Sequence, residues 1–422
     1  MELMDMMIKQ IRVIDPAQEL DEVRDLYLDD GIIVDKPLSS ARVIDGRGLV
    51  AAPGLIDLHV HLRDPGLTHK EDIFTGTKAA AAGGYTAVAC MPNTAPSLDS
   101  PEQLAYVAGK AQTASARVLP IAAVTVAQAG VTLTNFKSLR DAGAIGLSDD
   151  GFAVESAALL RQAMQEAAAL HIPIISHCED TEMVQNHAAH EGFVSKHLKI
   201  PGRPAVAETI QVARDLLLAE DTGCHIHIAH VSTAKAVELI RRAKADGIRV
   251  TAETCPQYFT LTEEALLEKG TLARVNPPLR TEADREAILA GLLDGTIDTI
   301  VTDHAPHSAE EKAQDLLSAP SGMVGLETIL GLSLTALYHT GKASLSDFVR
   351  LLSTNPAQMF SLPYGTLRVG APADVTIFDP DETWTVEPEE FLSKARNTPF
   401  GGMELRGRVR YTICGGVLTY ER

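Results

Sequence analysis

No run in the sequence approaches the roughly 18 uninterrupted apolar residues that a membrane-spanning helix needs. The first ten residues, MELMDMMIKQ, also lack a basic segment followed by an apolar one. The chain is therefore expected to be neither secreted nor membrane-bound, with the cytoplasm as its location. Positive charge is scarce: 37 Lys and Arg face 56 Asp and Glu, a formal net charge of -19. Without basic stripes to displace counterions from phosphates, general nucleic-acid binding is excluded. An anionic small molecule is not, because distant surface charge is screened over about 8 Å whereas a local arginine or metal acts directly. Cysteine is sparse. Cys90, Cys178, Cys224, Cys255 and Cys414 lie far apart with no CxxC pair, which points to free thiols and not to a disulfide framework. Tandem repeats and low-complexity linkers are absent as well.

What is present is an ordinary globular composition, 45% hydrophobic and 22% charged over 422 residues. From about Leu55 onward, short β-rich runs alternate with longer Ala- and Leu-rich helical runs. Eight such runs begin at Gly54 (GLIDLHV), Tyr85 (YTAVACM), Arg117 (RVLPIAAVT), Ala144 (AIGLSDD), Ile172 (IPIISHC), His225 (HIHIAHV), Arg249 (RVTAETC) and Asp298 (DTIVTDHA). Eight βα units predict an α/β fold, a closed (β/α)8 TIM-like barrel whose active site lies at the C-terminal strand ends. A barrel takes about 250 residues, which leaves room for a second module. The flanks read as strand-and-turn text with little helical period. The expected organisation is thus a barrel over residues 53–364 and a small β-sandwich module made jointly by residues 1–52 and 365–422.

Reading only strand C-termini yields His59, His61, Asp149 or Asp150, His177, His230 and Asp303. Any one of these alone reads as a satisfied core or surface residue. Five strands delivering His or Asp at equivalent positions read as a metal-ligand set. Four histidines with two carboxylates exceed one tetrahedral site, so two metals sharing a bridging carboxylate are expected. Strand alternation places His225 and His227 on the face opposite His230, and turns Cys178 and His304 away from their ligand neighbours. His69, His187, His190 and His197 fall in helical or loop text and are expected to be solvated. Loops after strands carry Arg63, Asn93, Asn276 and His307. The planar fork of Arg63 suits a carboxylate, to which Asn93 and His307 add hydrogen bonds; the bland alternatives are a surface salt bridge for Arg63 and turn geometry for the asparagines.

The motifs GLIDLHVHLRDPG, MPNT, SDDG, ISHCED, AHVST, AETCPQYF, RVNPPLR, VTDHAPH, SGMVGLET and GAPADVTIFD occur in this order over nearly the whole chain. In order and spacing they resemble the dihydroorotases of the long bacterial type, within the metal-dependent amidohydrolases. The resemblance implies two divalent ions, zinc by expectation, with His59, His61 and Asp303 on one, His177 and His230 on the other, and Asp150 as the bridge. It implies that Asp303 is the catalytic proton carrier. It places His61, Arg63, Asn93, Asn276 and His307 around the substrate, with backbone contacts from Ser321 and Gly322; Ser321 stands where the family pattern leads one to expect an aromatic residue. The segment HSAEEKAQDLLSAPSG reads as a mobile loop over the site. The implied reaction is the reversible closure of N-carbamoyl-L-aspartate to L-dihydroorotate and water in pyrimidine (UMP) biosynthesis. A homodimer and a complex with aspartate transcarbamoylase are the implied assemblies. Two alternatives remain: another cyclic-amide hydrolase, such as an allantoinase, hydantoinase or dihydropyrimidinase, and a non-catalytic assembly partner of aspartate transcarbamoylase. The first group usually bridges its metals with a carboxylated lysine, and AIGLSDDG has no lysine; the second should have lost ligands, and none is missing.

Overall fold

A computed structural model describes residues 4–36, 40–184 and 188–422. Eight parallel strands follow one another around a barrel in chain order: β1 (Leu55–Val60), β2 (Tyr85–Cys90), β3 (Arg117–Ala122), β4 (Gly146–Leu147), β5 (Ile174–Ser176), β6 (Ile226–Ile228), β7 (Val250–Thr254) and β8 (Thr299–Ile300). The ring closes through a parallel bridge between Val60 and His304, with the His61 amide donating to the His304 carbonyl at 2.9 Å. Every expected strand is therefore present, but several are shorter than their sequence runs. The ladder stops early where the chain turns to deliver a side chain: φ is +31° at His230 and +47° at Asp303. Positive φ is costly for a residue with a Cβ and clusters at functional positions.

The crossover helices start where the sequence supplies caps. Asp72 accepts from the Phe74 and Thr75 amides at the head of the helix Ile73–Ala82. Ser156, Thr233 and Thr281 do the same for helices Ala157–Leu170, Ala234–Ala245 and Glu282–Leu293. Their alanine-rich inner faces let them approach the strands closely, and Ala79, Ala80, Ala163 and Ala167 are fully buried.

The two ends of the chain build one further eight-stranded sheet, from strands between Met6 and Pro53 and between Val375 and Glu421. This sheet folds over a core of its own, in which Met6, Ile8, Leu28 and Ile33 pack with Val375, Ile377 and Ile413. Its strand Val50–Pro53 runs almost directly into β1, so the module sets the entry of the first ligand-bearing strand. Thr376 reinforces that junction, its hydroxyl accepting from the Leu55 amide at 3.2 Å and donating to the Gly84 carbonyl. Phe378 reaches from the module side into the barrel's core and meets Phe348 of the helix Leu345–Val349 edge-to-face, with centroids 6.0 Å apart. Among the described residues no helix is long and apolar enough to cross a membrane.

Because Phe378 is fully buried at this junction, Phe378→Ala should cost about 3–5 kcal/mol of stability. Urea unfolding would register a clear fall in midpoint; a shift equivalent to less than about 1 kcal/mol would contradict the packing described.

Candidate active site

All the strand-end ligand candidates except Asp149 converge at the C-terminal mouth of the barrel. Two triads share one carboxylate: His59, His61 and Asp150, then Asp150, His177 and His230, each with its ligand atoms within 4.8 Å of one another. Asp150 Oδ1 lies 3.3 Å from His59 Nε2, 3.6 Å from His177 Nδ1 and 3.7 Å from His230 Nε2, while Oδ2 lies 3.6 Å from His61 Nε2. Asp303 Oδ1 sits 3.1 Å from His61 Nε2 and 3.7 Å from His59 Nε2. Burial alone would raise the pKa of Asp150, but His59, His177 and His230 outweigh it and hold the carboxylate well below its usual range. Asp149 takes the other direction. Its carboxylate accepts from the Thr125 amide at 3.0 Å and from the Thr125 hydroxyl, away from the cluster.

The fit of a metal here can be tested on the donor atoms. His59 Nε2 and Asp150 Oδ1 are buried, face each other and make no hydrogen bond. Such orphaned acceptors are costly without a ligand. The far sides of the rings, by contrast, are mostly engaged. Glu253 receives His59 Nδ1 at 2.6 Å and Asn93 Oδ1 receives His61 Nδ1 at 2.8 Å, while His177 Nε2 has Asn276 Nδ2 at 3.3 Å and the Glu179 carboxylate at 3.7 Å. Fixing the outer nitrogen commits the inner one to ligation, as oriented metal-binding histidines require. The donor set fits hard-to-borderline divalent ions.

Glu253 and Glu179 were not singled out by the sequence. Glu253 is fully buried on β7, accepts also from His227 Nε2 at 3.0 Å and the His230 amide at 3.2 Å, and is held well below the usual carboxylate range by His59 and His227 despite burial. An acidic residue inside the strand run RVTAETC, where a charge is costly to bury, is its signal in the sequence. Glu179, pushed down to about 2 by His177, Arg203 and Asn276 against its burial, follows His177 by two residues. His227 corrects the strand-alternation reading. It points inward, one layer beneath the ligands, where it joins Glu253 and Thr251. His230 also points inward because its positive φ breaks the alternation. Cys178 does face outward, toward Ser176 and Asp215, and His304 faces Glu71. Of the remaining histidines, His69 and His197 are exposed, His190 is instead buried against Arg280, and His187 lies outside the described residues.

Beside the ligands opens a cavity of about 220 Å3, lined by His61, Arg63, Asn93, Asn276, His307, Ser321 and Gly322 together with Asp150, His177, His230 and Asp303. Arg63 is buried with φ +58°, and among the described residues its guanidinium forms no ion pair; Nε donates to the Pro306 carbonyl at 3.3 Å. Desolvation pushes its pKa down to about 10, against the pull of Asp303 and Asp150, so the group stays cationic at neutral pH. His307 is pushed down to about 3 by burial and the charges of Arg63, Lys70 and Lys312. It is therefore neutral, with Nε2 donating to the Ser321 carbonyl at 2.9 Å. Asn276 lines the cavity with its amide already held by Glu179 and Arg203. The segment after His307 carries a short helix, Ala309–Lys312, whose Lys312 ammonium donates to the Pro320 and Gly322 carbonyls at 2.9 and 3.0 Å.

Comparison with known proteins agrees with this architecture. The dihydro-orotase-like family model matches residues 48–236 and the amidohydrolase family model residues 317–420. The dihydroorotase of Syntrophotalea carbinolica is 48% identical, covering 99% of this chain and 99% of the relative. That of Ruminiclostridium cellulolyticum is 49% identical over 98% of each. Among solved structures, the L-hydantoinase (dihydropyrimidinase) of Arthrobacter aurescens superposes with a TM-score of 0.89 at 28% identity, covering 99% of this chain and 96% of that one. The dihydropyrimidinase of Brevibacillus agri gives 0.87 at 26%, covering 99% and 95%. With nearly half its residues identical to curated relatives over essentially the full length of both, the chain belongs to the dihydroorotase family of amidohydrolases.

Proposed function

We infer that this protein is a dihydroorotase, closing N-carbamoyl-L-aspartate to L-dihydroorotate and water, and the reverse, in pyrimidine biosynthesis. The observation that carries this reading is Arg63. A buried guanidinium with no ion pair among the described residues, facing a cavity walled by metal-type ligands, suits a substrate that brings its own carboxylate. The neutral rings of a hydantoin or dihydropyrimidine bring none.

Two divalent ions, most simply zinc, would be held by His59, His61 and Asp303 on one side and His177 and His230 on the other, with Asp150 between them. Such ions polarise a carbonyl and lower the pKa of a neighbouring water. The chain's own residues do the rest. Arg63 takes the free carboxylate through two parallel N–H bonds, and Asn93 and His307 flank it. His307 Nε2–H already donates to Ser321, so binding exchanges the Ser321 carbonyl for a substrate oxygen at that donor. Ser321 and Gly322 serve through their backbone, and Asn276 orders the wall beside His177. In ring closure the substrate nitrogen attacks the side-chain carboxyl carbon, a C–N bond forms and a C–O bond breaks. Asp303 accepts one proton from nitrogen and delivers it to the departing carboxylate oxygen, which takes a second proton from solvent and leaves as water; in hydrolysis both protons run the other way. The loop from His307 to Gly322 excludes water during the reaction.

The proposed division is a barrel of residues 53–364 and a module of residues 1–52 with 365–422, the module having a core of its own on one face and packing residues such as Phe378 and Val409 into the barrel's core on the other. A cytoplasmic location, a homodimer and association with aspartate transcarbamoylase complete the proposal.

Side-by-side assays of the purified protein with N-carbamoyl-L-aspartate, dihydroorotate, hydantoin and allantoin test the reading. Turnover of the first two alone is expected, and preference for hydantoin or allantoin would overturn it. Arg63→Lys keeps the charge but loses the fork, and should lower kcat/KM for dihydroorotate about ten- to hundredfold; an unchanged value removes Arg63 from the site. A second expectation follows from His177. Burial alone would lower its pKa, but Asp150 and Glu179 push it up to about 9. Below that pH the metal-free ring carries a proton that ligation must remove, so metal uptake at pH 7.5 should release protons and weaken as pH falls. Titration calorimetry in two buffers of different ionisation enthalpy measures this, and identical heats in both would contradict it.

A further inference from the structure

The segment Phe391–Asn397, which follows the first C-terminal strand of the module in sequence, lies against the mouth of the barrel. Two carboxylates from the barrel side hold it there. Glu327 accepts from the Leu392 amide at 2.9 Å and the Ser393 amide at 3.1 Å. Glu71, itself 3.4 Å from His304, receives the Ser393 hydroxyl. At the end of this segment is Asn397, 3% exposed.

Each polar group of Asn397 meets the backbone of a loop that lines the cavity. Its Oδ1 accepts from the His307 amide at 3.1 Å, and its Nδ2 donates to the Ala305 and Gly322 carbonyls, both at 3.1 Å. Its own carbonyl accepts from the Val324 amide at 2.9 Å. Ala305 and His307 flank Pro306, whose carbonyl is the acceptor for Arg63 Nε. One side chain thus fixes the peptide units that orient Arg63, carry His307 and place Gly322. The fit is tight: at Gly322, with φ +134°, an added Cβ would lie 2.7 Å from Ala305 Cβ and 3.1 Å from His307 Nε2.

We propose that Asn397 is a positioning residue that sets the carboxylate-binding half of the site from outside the barrel strands, acting on Arg63, His307 and Gly322 through their backbone and neighbours and touching neither substrate nor a metal-ligand side chain. The three hydrogen bonds cross between the 305–307 segment and Gly322, so their loss loosens these peptide units while the Ala305 amide still donates to the Met323 carbonyl at 2.8 Å. The ligand histidines, backed by Glu253 and Asn93, make none of these hydrogen bonds.

This rests on the dihydroorotase reading, and the test separates the two. Wild type, Asn397→Ala and the isosteric Asn397→Asp are compared for kcat and KM with dihydroorotate, metal content and thermal unfolding. Asn397→Asp keeps the acceptor for the His307 amide and loses the two donors. Both variants should retain metal and raise KM about tenfold or more, with kcat within about threefold. Unchanged KM, a fall in kcat at constant KM, loss of metal, or failure of both variants to fold would each overturn the assignment. If wild type does not interconvert dihydroorotate and carbamoyl aspartate, the functional reading falls and this inference with it. If wild type is active and the variants match it, this inference falls alone.

Discussion

Asp150 is a buried carboxylate facing four imidazoles within 3.3 to 3.7 Å, and the architecture of the barrel mouth follows from keeping that arrangement. A cluster of ring nitrogens and carboxylate oxygens withdrawn from water is unfavourable unless cations occupy the space between them. The protein holds the donors in place from behind. Glu253 fixes His59 and supports the His230 backbone, Asn93 fixes His61, and His227 locks Glu253 from beneath. Asp57 ties β1 to the segment after β8 through the Thr302 hydroxyl and amide, at 2.5 and 3.3 Å. Preorganisation of this kind lets ions and substrate enter without rearranging the barrel.

The positive φ angles at Arg63, His230 and Asp303 belong to the same constraint. A regular strand presents alternate residues to one face, whereas these positions require a side chain to enter the mouth just after the ladder ends. The backbone departs from its preferred region there, and the surrounding hydrogen bonds hold it. The Arg63 side of the cavity is organised differently, by loops whose backbone is clasped by Lys312 and Asn397.

Much of this was legible in the sequence because βα repetition places equivalent residues at equivalent strand ends. His59, His61, His177, His230 and Asp303 needed only a register and a direction, and Asp150 was separated from Asp149 by resemblance before the Thr125 contacts showed where Asp149 turns. The reading of His227 failed because it assumed that alternation persists to His230, which the local φ breaks. His190 was expected in solvent because nothing nearby in the sequence signals Arg280, its partner 90 residues away. Glu253 carries no ligand signal in the sequence because it orients the ligands from behind and does not join them. Asn397 had no local signal at all, since its partners lie 75 to 92 residues away and are backbone groups.

The central claim is that Asp150 joins two metal positions as an unmodified carboxylate. Lysine can do so only after reacting with carbon dioxide, whereas aspartate needs no such step. Metal-free protein is therefore reconstituted with zinc in carbon-dioxide-depleted buffer, for wild type, Asp150→Asn and Asp149→Asn, and metal per chain is measured alongside dihydroorotate turnover. The account predicts two ions and full activity for wild type without bicarbonate, loss of metal and activity together for Asp150→Asn, and a mild effect for Asp149→Asn. A requirement for bicarbonate, a fully active wild type with one ion, or greater damage from the Asp149 substitution than from the Asp150 one would contradict it.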